Sequence, residues 1–118
     1  MKKEMVKTEE DVVRFLSDKT KFERDVLVAT FKIPKGKVST YKRIAEKIGK
    51  PKAYRAVGNA LHKNPLFPIV PCHRVVKSDG TFGGEKKAAD SRRKHLEQEG
   101  VPIENGRVKI SNEILFRF

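Results

Sequence analysis

Two short apolar-striped segments separated by a Gly49-Lys50-Pro51 break constrain this chain more than any other feature of it. After Ser39-Thr40, the residues Tyr41, Ile44, Ala45 and Ile48 recur at the i, i+3, i+4 and i+7 spacing of a buried helical stripe. Beyond the break, the pattern predicts a second helix over 53–63 with Val57 and Leu61 turned inward. Two short helices around a tight glycine-containing turn have the spacing of a helix-turn-helix unit, although many αα-hairpins share it without touching nucleic acid. Charge adds weight to the first alternative. Residues 35–63 hold nine basic residues against Glu46 alone, whereas residues 1–25 balance seven Lys/Arg with seven Asp/Glu. Much of the net charge of +12 therefore falls on the helical pair, an electrostatic footprint for a polyanion such as DNA, RNA or an anionic membrane.

Around this unit the pattern predicts three further helices. Thr8 to Ser17 reads as a short amphipathic helix capped by Thr8, with Val12, Val13, Phe15 and Leu16 on its apolar side. Thr20 and Glu23 have capping-box spacing and open a second, with Phe22, Val26, Leu27, Thr30 and Phe31 on one flank and Pro34-Lys35-Gly36 as its stop. A last helix is predicted from about Ala88 to Glu99, ended by Gly100. Pro65, Pro68 and Pro71 predict a stiff buried loop from Asn64 to Pro71, followed by a short strand at Val75-Val76 and a turn at Ser78-Asp79-Gly80. Asn105-Gly106 sits where a type I′ hairpin would join two strands within 101–110.

The fold expected is mainly α with a small β element, a single domain over residues 1–118 built on the helix-turn-helix and winged-helix-like in character. No apolar run approaches the ~20 residues of a membrane span, and the charged start lacks the apolar stretch of a secretory signal. A cytoplasmic location, nuclear in a eukaryote, is the expectation. The single cysteine, which cannot form an internal disulfide, fits a reducing compartment.

That cysteine, Cys72, lies between Pro71 and His73. A thiolate is the strongest nucleophile among side chains near neutral pH, and His73 could act as its base, with Glu99 or Glu97 orienting the imidazole. On this pair alone, an inert core cysteine beside a chance histidine is the commoner case. A metal site is not indicated, since His62, His73 and His95 are scattered and lack zinc-ligand spacing, and no cofactor is implied.

Longer stretches decide between these alternatives. Asn64-Pro65 followed by Ile69-Val70-Pro71-Cys72-His73-Arg74-Val75-Val76 closely resembles the active-site signature of the O6-alkylguanine-DNA alkyltransferases. The resemblance runs from Thr20 and Phe22 through 33–41 and 53–60 to Glu99-Gly100, about residues 20–101. It implies a bare catalytic unit, of the kind that forms the C-terminal part of longer members, acting as a monomer on double-stranded DNA that carries O6-alkylguanine. Cys72 would be the alkyl acceptor, His73 would deprotonate it through a water, and Glu99 would polarise His73. Tyr41 would help rotate the nucleotide outward and protonate the departing guanine, Arg55 would enter the vacated base stack, and Asn64 would hold the active-site turn. Ala53, Ala56, Gly58 and Ala60 would allow close approach to the minor groove, with Lys42 and Lys52 beside them. Leu61, Val75, Phe82, Gly83 and Glu85 would line the substrate pocket, the backbone carbonyls of Cys72 and Val75 receiving the guanine amino group.

The match has departures. Glu85 stands where the family usually has a tyrosine, a charged Lys86-Lys87 follows it, and Phe67 replaces a frequent proline. In size the chain is also similar to alkyltransferase-like proteins, which bind the lesion without removing the group and typically lack the cysteine. A lesion-flagging DNA binder is accordingly the alternative function, while a plain helix-turn-helix regulator would have no use for Pro71-Cys72-His73-Arg74.

Overall fold

The computed structural model describes residues 1–118 and contains five helices and two pairs of very short strands. In chain order these are α1 (Glu9–Phe15), α2 (Lys21–Phe31), β1 (Ser39–Thr40), α3 (Tyr41–Lys47), α4 (Tyr54–His62), β2 (Val75–Val76), α5 (Lys86–Gln98), β3 (Ile103–Glu104) and β4 (Arg107–Val108). The mainly helical class with a small β element, read from the sequence, is the class observed. No helix is long and apolar enough to cross a membrane.

Side-chain caps set most of the helix starts. Thr8 and Asp11 form a reciprocal capping box on α1, Thr20 accepts the Glu23 amide at α2, and Thr40 accepts the Arg43 amide at α3. Each satisfies backbone N–H groups that the first turn leaves without partners. The break after α3 is a Schellman motif: the Lys50 amide reaches back to the Ala45 carbonyl and the Gly49 amide to that of Glu46. Gly49, at φ +79°, takes the left-handed conformation this closure needs, and the chain turns directly into α4. α5 ends the same way, with the Val101 amide on the Leu96 carbonyl and the Gly100 amide on that of Glu97. Leu96 and Val101 are both buried, so the last turn of α5 is anchored by apolar packing.

The main core lies among α1, α2, α3 and α4 and the loop before Cys72, with Leu16, Leu27, Ile33, Ile44, Val57 and Leu66 fully enclosed. α3 packs on α4, and both pack on α2. A second cluster of Val38, Val76, Leu96, Val101 and Val108 joins the strands to α5. β1 and β2 pair in parallel, with Ser39 opposite Val75 and Thr40 opposite Val76. The C-terminal segment extends this pair: Val38 donates to the Ile114 carbonyl and accepts from the Phe116 amide, each at 2.8 Å. β3 and β4 form the expected hairpin, with Asn105 and Gly106 both at positive φ, as a type I′ turn requires.

Several expectations are corrected. Val13, assigned to the apolar side of α1, is 44% exposed, because the helix rotates Val12 and Leu16 inward instead. Ser39-Thr40 is a strand as well as a cap, and α5 starts at Lys86, two residues early. Only part of the proline loop is buried: Leu66, Val70 and Pro71 point in, while Pro65 and Pro68 are exposed. Ala60, read as free to approach DNA, is buried in the main core.

Gly80 is the tightest point between the two sheets. It is buried at φ +84°, its carbonyl accepts the Val108 amide, and a Cβ there would collide with the Val108 carbonyl. Gly80→Ala should therefore destabilise the fold by about 2–4 kcal/mol, through combined left-handed strain and collision. Gly49→Ala, which meets open space, should cost only about 1–2 kcal/mol. Urea unfolding midpoints of the two variants test this, and equal losses would refute it.

Candidate active site

The loop that leaves α4 carries the cysteine and is stiffened from within. The Asn64 side chain donates to the Val70 carbonyl at 2.8 Å and accepts the Leu66 amide at 2.9 Å, spanning the loop. The chain then enters a short 3-10 turn, Cys72–Arg74, which the sequence did not reveal. Cys72 is half-buried and free, at the edge of the main core. The Cys72 carbonyl already accepts the Val75 amide, which leaves it a second lone pair.

His73 is 2% exposed, and its Nε2 lies 2.9 Å from Glu99 Oε2. The same carboxylate accepts Arg74 Nε at 2.9 Å and Arg74 Nη2 at 2.8 Å, a bidentate pair, and Arg74 Nη1 donates to the Ile33 carbonyl. Glu99, not Glu97, is thus the partner of His73; Glu97 is exposed and pairs with Arg93. Burial pushes the Glu99 carboxyl up, but hydrogen bonds and charge from Arg74 and His73 outweigh it and bring it down to about 2. Burial pulls His73 below the usual imidazole range, outweighing the opposite pull of Glu99. An ionised Glu99 can only accept, so Nε2 must carry the imidazole proton. The buried Nδ1, which has no partner within the chain, is left as a lone pair able to take a proton. Phe67, at the unexpected position, packs edge-on against His73 and His95 with centroid separations of 5.5 and 5.4 Å.

Tyr41 opens α3 directly after β1, half-buried between α4 and the 82–85 loop. A Cβ on Gly58 would lie 3.7 Å from its ring, and one on Gly83 3.6 Å from its hydroxyl. Arg92 of α5 donates to the Tyr41 hydroxyl at 3.3 Å and also to the Gly83 carbonyl. Sequence reasoning missed Arg92, whose link to Tyr41 crosses 51 positions.

On α4, Arg55 is exposed and makes no side-chain hydrogen bond or ion pair, with Ala56 exposed beside it and Ala53 half-buried at the N-cap. Lys42 and Lys52 are exposed nearby on α3 and the turn. Of the residues expected to line a pocket, Gly83 lies against Tyr41, but Leu61 and Val75 are buried in the main core. Phe82 is half-buried against the second cluster, and Glu85 is exposed at the N-cap of α5, where its side chain caps nothing.

The sequence model of the family described as 6-O-methylguanine DNA methyltransferase, DNA binding domain, matches residues 21–101, a span that includes every residue of this constellation. A methylated-DNA--protein-cysteine methyltransferase of Methanosarcina barkeri is 51% identical over 71 residues, covering 60% of this chain and 45% of that protein. One from Saccharolobus islandicus is 48% identical over 82 residues, covering 70% and 52%. The chain thus spans about half the length of the curated relatives it matches. Among solved structures, Schizosaccharomyces pombe Atl1 in complex with damaged DNA containing O6-carboxymethylguanine superposes with a TM-score of 0.71 at 36% identity, over 81% of this chain and 94% of that one. Mycobacterium tuberculosis OGT in complex with DNA gives 0.64 at 42% identity, over 68% and 50%. With the family match extending across both the paired helices and the Cys72 turn, the chain belongs to the 6-O-methylguanine DNA methyltransferase DNA-binding-domain family.

Proposed function

We propose that this chain repairs O6-alkylguanine in duplex DNA by taking the alkyl group irreversibly onto Cys72, and that one domain both binds the DNA and carries out the transfer. The observation that carries the reading is the buried His73, held in one tautomer by an ionised Glu99 next to the only thiol in the chain. That is the nucleophile, base and orienting carboxylate order of an activated cysteine. No cofactor is called for.

An alkyl group on guanine O6 lies inside the stacked duplex, so the base must be turned out, at a cost of a few kcal/mol. Arg55, exposed and unpaired on α4, is suited to fill the vacated stack, and small Ala53, Ala56 and Gly58 leave the helix slim enough for the minor groove. Lys42 and Lys52 would meet backbone phosphates. With the base out, the Cys72 proton passes through a water to His73 Nδ1 and the thiolate attacks the alkyl carbon. The carbon–O6 bond breaks, its electron pair goes to the purine, and the Tyr41 hydroxyl delivers a proton to the ring. Tyr41 regains a proton from solvent. A thioether has no good leaving group, so each molecule acts once. The chemistry fits a monomer in a reducing, cytoplasmic or nuclear setting.

A second reading, lesion binding without transfer, is favoured by one observation: the chain covers 94% of Atl1, whose structure holds damaged DNA. Intact-mass and peptide analysis after incubation with an O6-methylguanine oligonucleotide separates the two. Repair adds one methyl group to the Cys72 peptide, whereas stable binding with unchanged mass would replace repair by lesion recognition.

Arg55→Ala should slow transfer from duplex DNA by at least about tenfold while leaving transfer from free O6-benzylguanine unaltered, since the free base needs no flipping. Parallel losses on both substrates would remove Arg55 from the flipping step.

Transfer requires neutral His73, and burial holds its pKa below the ordinary imidazole value of about 6.5. The single-turnover rate, measured against pH, should therefore decline on the acid side with a midpoint below 6.5. A decline centred above that value would contradict the buried, neutral base.

A further inference from the structure

α5 carries two arginines side by side, and they are held in opposite ways. Arg93, half-buried like its neighbour, has two carboxylates in reach, Asp90 at 3.7 Å and Glu97 at 3.5 Å. Arg92 is half-buried and has no carboxylate partner at all. Its guanidinium is nonetheless fixed at every nitrogen: Nε on the Ala88 carbonyl, Nη2 on the Gly83 carbonyl and Nη1 on the Tyr41 hydroxyl. A cation drawn out of water normally takes a carboxylate with it. Here the uncompensated charge is spent on a phenol and on the loop beside it. The loop is shaped for this contact, because a Cβ on Gly84 would stand 3.4 Å from Arg92 Nη2, at a backbone φ of +84°.

We propose that Arg92 is a positioning residue for alkyl transfer, acting through Tyr41; the proposal rests on the transfer reading above. A guanidinium can only donate, so it makes the Tyr41 oxygen an acceptor and leaves the phenolic O–H free to point at the everted purine. When that proton moves to the purine ring as the carbon–O6 bond breaks, the phenolate left behind faces a fixed positive charge, and it is reprotonated by solvent after guanine leaves. The Gly83 contact does a second job. It ties the loop to the hydroxyl where Glu85, turned to solvent at the start of α5, supplies no wall. Arg92 thus favours substrates whose leaving group must be protonated as it departs.

The test compares substrates that differ in that dependence. Free O6-benzylguanine needs the purine protonated, whereas iodoacetamide alkylates Cys72 with iodide as a leaving group that needs no proton. Arg92→Met should slow benzyl transfer about tenfold, the size of one hydrogen bond to a charged group, and leave iodoacetamide alkylation unchanged. Arg92→Lys, which keeps the charge, should recover much of the loss. Tyr41→Phe combined with Arg92→Met should be no slower than Tyr41→Phe alone, because both act through one hydroxyl. The proposal is overturned if iodoacetamide alkylation slows in parallel, or if the double variant loses a further tenfold. Wild-type protein that accepts iodoacetamide but never a benzyl or methyl group would instead overturn alkyl transfer itself, a result visible before any variant is made.

Discussion

The Glu99 carboxylate, shared between Arg74 and His73, is the constraint on which the rest of the site depends. Three donors converge on its two oxygens, and two of them belong to Arg74, which also grips the chain just past α2 through the Ile33 carbonyl. The pair is only partly exposed, so the attraction is screened less than at an open surface, while each charge has enough hydrogen bonds to offset its desolvation. Removing the carboxylate alone would leave Arg74 unpaired beside a buried imidazole, the kind of loss that costs about 3–5 kcal/mol. The same atoms therefore hold the 3-10 turn against α5 and decide which nitrogen of His73 carries the proton. Stability and chemistry meet in one carboxylate.

What places that carboxylate is backbone geometry at the end of α5. The Schellman closure at Gly100 fixes Glu99 at the C-cap, and the buried Leu96 and Val101 prevent the last turn from fraying. Asn64 does the corresponding work on the other side, tying the proline-rich loop so that Cys72 and His73 arrive in a fixed order. Neither device needs the strands, which are two residues long and contribute little by themselves. β1 and β2 instead serve as a joint: the parallel pairing brings the residue before Tyr41 alongside the residues after the cysteine turn.

Much of this could be read from the chain directly, and the parts that could not share a physical cause. Thr8, Thr20 and Thr40 announce helix starts because a cap and its target amide are three residues apart, and Asn105-Gly106 announces a hairpin because positive φ is a local demand. Cys72-His73 is visible as a pair, but spacing alone leaves Glu99 and Glu97 open; the resemblance points to Glu99, and the turn of α5 supplies the physical reason. The β1–β2 pairing and the Val38–Leu115 bridge join segments 36 and 77 residues apart, with no alternating pattern long enough to advertise a strand. The exposure of Val13 and the burial of Ala60 depend on how a helix is rotated against its neighbours, which a stripe of apolar residues fixes only to within one position.

Arg92 and Glu99 stand seven residues apart on α5, two turns and about 10 Å along one rigid axis. In the chemistry proposed, one end of that axis supports the group that takes the proton from the thiol, and the other supports the group that gives a proton to the purine. A bond-breaking step of this kind gains from having both proton partners preset at a fixed separation, because neither then has to be ordered as the transition state forms. A helix is suited to the task where a loop is not: its length is set by its own hydrogen bonds and does not depend on the occupant of the pocket. On this view the 82–85 loop can vary, as it does here with Glu85 and its charged neighbours, without disturbing the spacing of acid and base, since Arg92 reaches Tyr41 and the loop from the same turn of α5.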